Sequence, residues 1–270
     1  PMLSDGPDMD LVEQLVRDDE SVKGIWCVPK YSNPTGIVFS DKVVERMANL
    51  KPKAKDFRVF WDNAYCVHSL YDTDEKLKNI FDVARKAGTL DMIYCFASTA
   101  KITFAGSGVA VFASSQNNVQ DMLKRLFFKR INPNKVNQVM HVEFLKNVEN
   151  VKKIMAQHAA ILRPKFDLFR VRMEEAFPDD QSVTWSKPRG GYFISLDVQG
   201  AAKRVVELAN EAGVKFTAAG STFPYRIDDN DSNIRIAPSV PSLEEMDFAI
   251  DVLISSIKIA LIEKSLKNRA

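Results

Sequence analysis

The sequence predicts an α/β protein: a mostly parallel sheet, then a long helical stretch, then a smaller α+β unit. Three observations lead there. Up to about residue 130, short apolar runs alternate with segments of helical spacing. From 134 to 177 the pattern is helical and charged. From 178 to 270, strand-like pieces and amphipathic segments form a second group. The expected division is therefore 1–133, a connector at 134–177, and 178–270.

Taken in order, the opening "PMLSDGPDMDLVEQL" reads as a loop leading into a helix. Four runs follow that read as buried strands: "GIWCVPKY" (24–31), "FRVFWDNAY" (57–65), "MIYCFAST" (92–99) and "GVAVFASS" (108–115). They are nearly continuous in aliphatic, aromatic and β-branched residues rather than alternating, as strands covered on both faces are. "SDKVVERMANLKPKA" and "EKLKNIFDVARKAG" lie between them with helical spacing. Strand–helix–strand repetition implies parallel strands joined by crossover helices. Pro164 predicts a kink or break in the long helical stretch. "VTWSKPRGGYFISLDV" predicts two strand pieces around a Gly-Gly turn, and "AAKRVVELANEAG" a helix ending at Gly213. "NIRIAP" reads as a short strand. Ser242 and Glu245 form a capping-box signature for a last helix with the stripe Met246, Ala249, Ile250, Leu253, Ile257, Ala260 and Leu261.

Composition narrows the class of function. A formal net charge of +2, with acids and lysines interspersed, argues against a nucleic-acid or membrane surface. The basic run "KRLFFKR" then reads as a solvated helix face. Cys27, Cys66 and Cys95 are odd in number, far apart and set in or beside apolar runs, which predicts reduced thiols. His68, His141 and His158 show no ligand spacing, so no metal is expected. No run approaches the ~18 apolar residues of a membrane span, and the opening segment lacks a signal-peptide core. A cytoplasmic enzyme or enzyme part is expected.

Three features fall at the carboxyl ends of successive expected strands, where open α/β sheets bind ligands. "YSNPTG" follows the first run, "WDNAY" closes the second with Asp62 and Tyr65, and "STAK" closes the third with Ser98 and Lys101. Lys101 is the one charged residue between 92 and 115, so its burial would cost several kcal/mol unless it is partnered or neutral. An amine, a carboxylate, a phenol, an amide and a hydroxyl together suit pyridoxal 5'-phosphate. A desolvated lysine forms a Schiff base with the aldehyde. A carboxylate keeps the ring nitrogen protonated, so the ring draws electrons from a substrate carbanion. A phenol and an amide bond the 3-oxygen, and a serine hydroxyl bonds the phosphate.

The order "NPTG … D-x-A-Y … S-x-x-K … R" resembles the class I, fold-type I pyridoxal phosphate-dependent aminotransferases. "YSNPTG", "WDNAY", "FASTAKITFAG", "KPRGGYFISLDV" and "NIRIAPSVPS" look most like the bacterial aspartate aminotransferase subgroup with an "STSKITFAG" lysine segment. The resemblance spans essentially the whole chain. It implies the C-terminal part of a large pyridoxal phosphate-binding domain at 1–133, incomplete at its N-terminus, and a small domain at 178–270. It implies Lys101 as the Schiff-base lysine and proton carrier, and Asp62 on the pyridine nitrogen. Asn33 and Tyr65 would bond the 3-oxygen, Ser98 the phosphate, and Arg235, with Asn33, the substrate α-carboxylate. Amino acid and 2-oxo acid substrates and a homodimer are further implications.

Two departures accompany the resemblance. Relatives carry an arginine after the lysine as phosphate counter-charge, whereas no Lys or Arg lies between Lys101 and Lys124 here. Ser107 or Thr103 are the nearby hydroxyls. The portion of relatives ahead of "NPTG" is also unmatched, so either the chain is a fragment or its N-terminal portion was removed or left out of the numbering, and this piece is expected to be inactive alone. Another fold-type I chemistry, a β-lyase or decarboxylase, stays open, as does a non-catalytic module. Residue by residue, bland readings stand beside these. Asp62 could cap a helix, Lys101 could reach the surface along its stem, and Arg235 could pair with Asp228, Asp229 or Asp231. Tyr192 and Phe193 read as core. Trp185 and Phe223 are weaker pocket candidates, and Lys135 or Asn137 weaker candidates for reaching a partner subunit.

Overall fold

A computed structural model describes residues 1–72 and 75–269. They form two compact units. The first comprises Pro1–Ser32, Ile37–Ser69 and the described residues of Thr73–Ala156; the second comprises Asn33–Gly36, Leu70–Asp72 and the described residues of Gln157–Ala270.

The first unit opens with a two-stranded hairpin, β1 (Met2–Leu3) and β2 (Gly6–Pro7), where the sequence suggested only loop. Helix α1 (Met9–Asp18) follows, capped by the Asp8 carboxylate, which accepts from the amides of Asp10 and Leu11. Four strands then build one sheet: β3 (Gly24–Cys27), β4 (Arg58–Asp62), β5 (Ile93–Ser98) and β6 (Ala110–Ala113), in that spatial order. β3, β4 and β5 run parallel, and β6 runs antiparallel to β5. Helix α2 (Asp41–Ala48), capped by Ser40, links β3 to β4. Helix α3 (Ile80–Ala87), capped by Asn79 and ended by left-handed Gly88, links β4 to β5.

Strand side chains alternate between faces. One face carries Cys27, Val59, Trp61 and Ile93, which join Met9 and Val16 of α1, Val43, Val44 and Met47 of α2, and Ile80 and Ala84 of α3 in a single buried cluster. The opposite face carries an aromatic row. Trp26 stacks on Phe60 at 5.3 Å and on Phe96 at 6.1 Å between centroids, Phe60 meets Tyr94 edge-on, and Phe96 packs on Phe112. Trp26 is nonetheless 63% exposed. The expectation of a sheet covered on both faces therefore fails for this chain's own residues: successive neighbouring strands send α2 and α3 to the same side. β6 also departs from expectation, being antiparallel and open, with Val111 59% exposed.

Helices α4 (Gln116–Lys129) and α5 (Lys135–Leu145) complete the unit, capped by Ser115 and Asn134. In "KRLFFKR" the exposed residues include both rings, Phe127 and Phe128. Helix α6 (Val148–Ala176) runs unbroken through Pro164, so the expected break is absent. The compact units part within this helix, which contributes to both.

In the second unit, β7 (Val183–Trp185), β8 (Ile194–Val198) and β9 (Asn233–Ile236) form an antiparallel sheet in that order. Phe166, Phe169 and Met173 of α6, Val205 of α7 (Ala202–Glu211) and Ile250, Leu253 and Ile257 of α8 (Leu243–Lys267) pack against Ile194, Leu196, Val198 and Ile234. The expected capping box at Ser242 and Glu245 is present, with both reciprocal bonds made.

The loop into β9 is held by one carboxylate. Asp228, 7% exposed, accepts from the backbone amides of Asn230 (3.1 Å), Ser232 (2.8 Å) and Asn233 (2.9 Å). Burial acts to raise its pKa, but these N–H bonds outweigh burial and hold it below the ordinary aspartate value. An unfolded chain then takes up a proton at this residue, near pH ~3.9, before the folded chain does. Stability from Asp228 is complete above that pH and is lost as pH falls through the lower folded value. Asp228→Asn keeps one acceptor oxygen and is expected to cost ~1–3 kcal/mol at neutral pH. The difference from wild type should shrink in acid; urea melts at pH 7 and pH 3 showing an unchanged difference would refute this account.

Candidate active site

The expected site residues divide between the units. Asp62, Tyr65, Ser98 and Lys101 belong to the first, and Asn33 and Arg235 to the second.

In the first unit, Asp62 is the last residue of β4, paired in register with Phe96 of β5. Alternation puts its side chain on the aromatic face, where the Trp26 indole N–H donates to its Oδ2 at 3.3 Å. That contact orients the carboxylate by one oxygen. Asn63 continues onto the backbone of β5 through a bond from its amide to the Phe96 carbonyl. Tyr65 is buried in the turn that follows.

Ser98 ends β5, and its Oγ accepts from the Ala100 amide at 3.1 Å, closing the turn that carries Lys101. That bond leaves the hydroxyl's own proton unused. The turn is pinned to the segment before β6: the Thr99 amide donates to the Val109 carbonyl (3.0 Å), and the Val109 amide donates to Thr99 Oγ1 (2.9 Å). Gly108 is required there, because a Cβ would sit 2.7 Å from both Ala100 N and Cα. The Lys101 ammonium lies 5.2 Å from the centroid of the Tyr65 ring, within cation–π range. Lys101 itself is exposed rather than buried, which corrects the expectation drawn from its apolar neighbours. It stands in a turn beyond the strand end, where the strand's burial no longer applies.

Two hydroxyls named for the phosphate fare differently. Thr103 Oγ1 lies 2.8 Å from His141 Nε2. His141 Nδ1 donates to the Asn137 carbonyl, 2.8 Å away, and the one Thr103 hydroxyl proton has two acceptors in reach, His141 Nε2 and the Thr99 carbonyl at 3.1 Å. Ser107 offers its carbonyl to Asn137 Nδ2 at 2.6 Å, and its side chain is exposed. This bond ties Asn137 within its own unit; Lys135 begins α5 and is exposed.

In the second unit, Arg235 of β9 pairs in register with Ser195 of β8. Its guanidinium carbon lies 4.6 Å from the Phe193 ring centroid, and Nη1 donates to Asn33 Oδ1 at 3.3 Å. Its Nε is buried without a hydrogen-bond acceptor. Asp228, one of the three aspartates named as an Arg235 partner, instead accepts from the backbone amides of Asn230, Ser232 and Asn233. Asn33 stands in the "NPTG" turn. Gly36 closes that turn at φ +75°, where a Cβ would fall 2.3 Å from Pro188 Cβ, so the "NPTG" and "KPRGG" motifs touch through a glycine. Two residues before Arg235, Asn233 Nδ2 donates to Ser195 Oγ (2.8 Å) and Asp197 Oδ1 (3.0 Å), and Thr222 donates to Asn233 Oδ1 (2.6 Å). Burial raises the Asp197 pKa despite that bond.

Sequence reasoning missed Trp26, His68 and the placing of Phe193 under Arg235. Phe193 had a usable signal: it alternates with Ser195, the register partner of Arg235. Trp185 keeps a buried indole N–H without a partner, Phe223 is partly exposed, and burial raises the Tyr192 pKa. None of the three cysteines is in a disulfide among the described residues, and Cys27 is buried; burial pushes the Cys95 thiol up to about 11. Among the described residues, no cluster of side chains suits a metal ion, and no helix is long and apolar enough to cross a membrane.

Comparison with known proteins agrees with the motif order. A Mycolicibacterium smegmatis protein described as an aminotransferase is 45% identical over 270 residues, which is 100% of this chain and 63% of its own length. A Corynebacterium glutamicum aspartate aminotransferase is 43% identical over 97% of this chain and 61% of its own. The crystal structure of an aspartate transaminase from Corynebacterium glutamicum superposes with a TM-score of 0.95 at 43% identity, covering 98% of this chain and 62% of that one. The Thermus thermophilus α-aminoadipate aminotransferase LysN, complexed with N-(5'-phosphopyridoxyl)-L-leucine, shares the fold at a TM-score of 0.79 and 20% identity, over 97% of this chain and 65% of that one. The chain thus spans a little over three fifths of the length of these Mycolicibacterium and Corynebacterium relatives. The aspartate amino-transferase family model matches residues 1–269, and the chain belongs to that family.

Proposed function

We propose that the protein containing this chain is a pyridoxal 5'-phosphate-dependent aminotransferase that moves the amino group of aspartate to 2-oxoglutarate. The observation that carries the reading is the Lys101 amine above the Tyr65 ring, on the turn after the strand beside the one that ends in Asp62. The donor set fits the cofactor: a primary amine, a carboxylate held by one oxygen, a buried phenol and a serine hydroxyl with its proton unused. The family match and the aspartate aminotransferase relatives support the same substrates.

When bound, pyridoxal phosphate supplies the electron sink for the pair released at the substrate Cα. Asp62 would hold the ring nitrogen, its Oδ1 left open by the Trp26 indole bond to Oδ2. By the family resemblance, Asn33 and Tyr65 would each serve the 3-oxygen, and Ser98 would donate to the phosphate. Lys101 Nζ would hold the cofactor aldehyde and carry the proton at the substrate Cα. Arg235 grips the substrate α-carboxylate through paired N–H donors, geometry that suits its planar fork. Phe193 and Asn33 fix the guanidinium before substrate arrives. We further read the enzyme as a cytoplasmic homodimer: the free thiols suit a reducing compartment, and membership of the family supports the dimer.

The test is product analysis on the natural full-length polypeptide. With aspartate, 2-oxoglutarate and pyridoxal phosphate, the expected products are glutamate and oxaloacetate in equal amounts. Ammonia or carbon dioxide released without glutamate would replace this reading with a lyase or decarboxylase.

A further inference from the structure

We propose that His68 is a positioning residue for Lys101 and Tyr65, an inference that rests on the reading of Lys101 as the cofactor lysine. His68 is 4% exposed. Its Nε2 lies 3.4 Å from the Lys101 carbonyl oxygen. A carbonyl only accepts, so Nε2 carries the hydrogen and donates. The same ring meets Tyr65 edge-on, with centroids 5.5 Å apart and planes at 84°, an arrangement favoured between aromatic rings. Lys101 Nζ in turn lies above the Tyr65 ring. One buried imidazole thus touches the backbone from which the amine extends and the ring over which the amine lies.

Its place in the chain makes this possible. His68 follows Tyr65 by three residues, and its amide donates to the Tyr65 carbonyl at 3.2 Å, so the turn after β4 curls the imidazole back under the phenol. On the other side, the amides of Ile102 (2.8 Å) and Thr103 (2.9 Å) both donate to the Thr99 carbonyl. Those bonds close the turn from within, and His68 anchors it from a second, independent segment of chain. A buried imidazole is a poor choice if only volume is needed, since burying a polar ring costs free energy unless it is hydrogen-bonded. The donor to Lys101 is what the ring adds over a leucine.

The experiment compares wild type with His68→Gln and His68→Leu in the natural full-length polypeptide. A glutamine amide places an N–H near the position of Nε2–H; leucine fills the space without a donor. Amide hydrogen exchange at Ile102 and Thr103 reads the anchor directly and needs no activity. In His68→Leu, exchange there should accelerate about fivefold, the change expected for one ordinary hydrogen bond. In His68→Gln it should stay within about twofold of wild type. In the loaded enzyme, kcat should fall in the leucine variant and recover with glutamine, while KM for the 2-oxo acid stays unchanged. If His68→Leu does not fold, His68→Phe, which keeps a ring edge toward Tyr65 without the N–H, takes its place. Equal exchange at 102–103 in the glutamine and apolar variants, with a cofactor adduct at Lys101 in wild type, overturns the His68 proposal alone. A wild type without an adduct at Lys101 overturns the reading of that lysine and, with it, the purpose assigned to His68.

Discussion

Lys101→Ala is expected to abolish amino transfer in the natural full-length enzyme. On the proposed reading, the substitution removes the amine that would hold the cofactor aldehyde and the base that would move the proton at Cα. Loss of a positioned base alone costs ~10²–10⁴-fold in rate, and loss of the covalent anchor adds to it. Lys101 is exposed, in a turn closed by bonds from Ala100 to Ser98 and between Thr99 and Val109. Alanine leaves those backbone and hydroxyl bonds in place, so the melting temperature should stay within a few degrees of wild type. The visible absorbance of the cofactor-loaded protein should shift to that of free pyridoxal phosphate. A variant that keeps both the protein-bound band and more than about a tenth of the wild-type rate would exclude Lys101 from either role.

Arg235→Lys should lower kcat/KM without unfolding the protein. The guanidinium is fixed on three sides before any substrate binds: the Phe193 ring beneath it, Asn33 Oδ1 on Nη1, and the register of β9 with β8 behind it. Lysine keeps the charge but gives up the paired donors and the flat contact with the ring. A lost charge-assisted hydrogen bond is worth ~1.5–3 kcal/mol, or about 10–150-fold in kcat/KM. The loss should appear for both the amino acid and the 2-oxo acid, since both present an α-carboxylate. A variant impaired toward one class only would mean that Arg235 binds something other than that shared group.

The parts of the fold legible in the sequence were those whose cause is local. Ser242 and Glu245 cap the last helix through reciprocal bonds that span three residues, as their spacing predicts. The parallel strands β3 to β5 followed from apolar runs alternating with helical spacing. The direction of β6 did not follow from its composition, since "GVAVF" reads alike in either direction. Chain length held the missing clue: only residues 99–109 separate β5 from β6, short for a parallel crossover, which needs a dozen or more.

The strand-end placing of the candidate residues was legible for the same reason. Asp62, Tyr65, Ser98 and Lys101 stand in short motifs at strand ends, so their proximity within one unit follows from the parallel sheet. The exposure of Lys101 did not follow, because hydropathy averages over a window and takes no account of a turn that leaves the strand. Trp26 and His68 were missed because each acts across the chain, Trp26 on Asp62 from a neighbouring strand and His68 on Lys101 from a separate turn. No spacing rule marks such contacts. Arg235 was proposed from its motif, but the ring beneath it became visible only with the register of β8 and β9.

The most direct test of the account is sodium borohydride reduction of the natural full-length protein loaded with pyridoxal phosphate, followed by peptide mass mapping. The account predicts one phosphopyridoxyl group per chain, on Lys101. A reduced adduct on another lysine, with Lys101 unmodified, would contradict it.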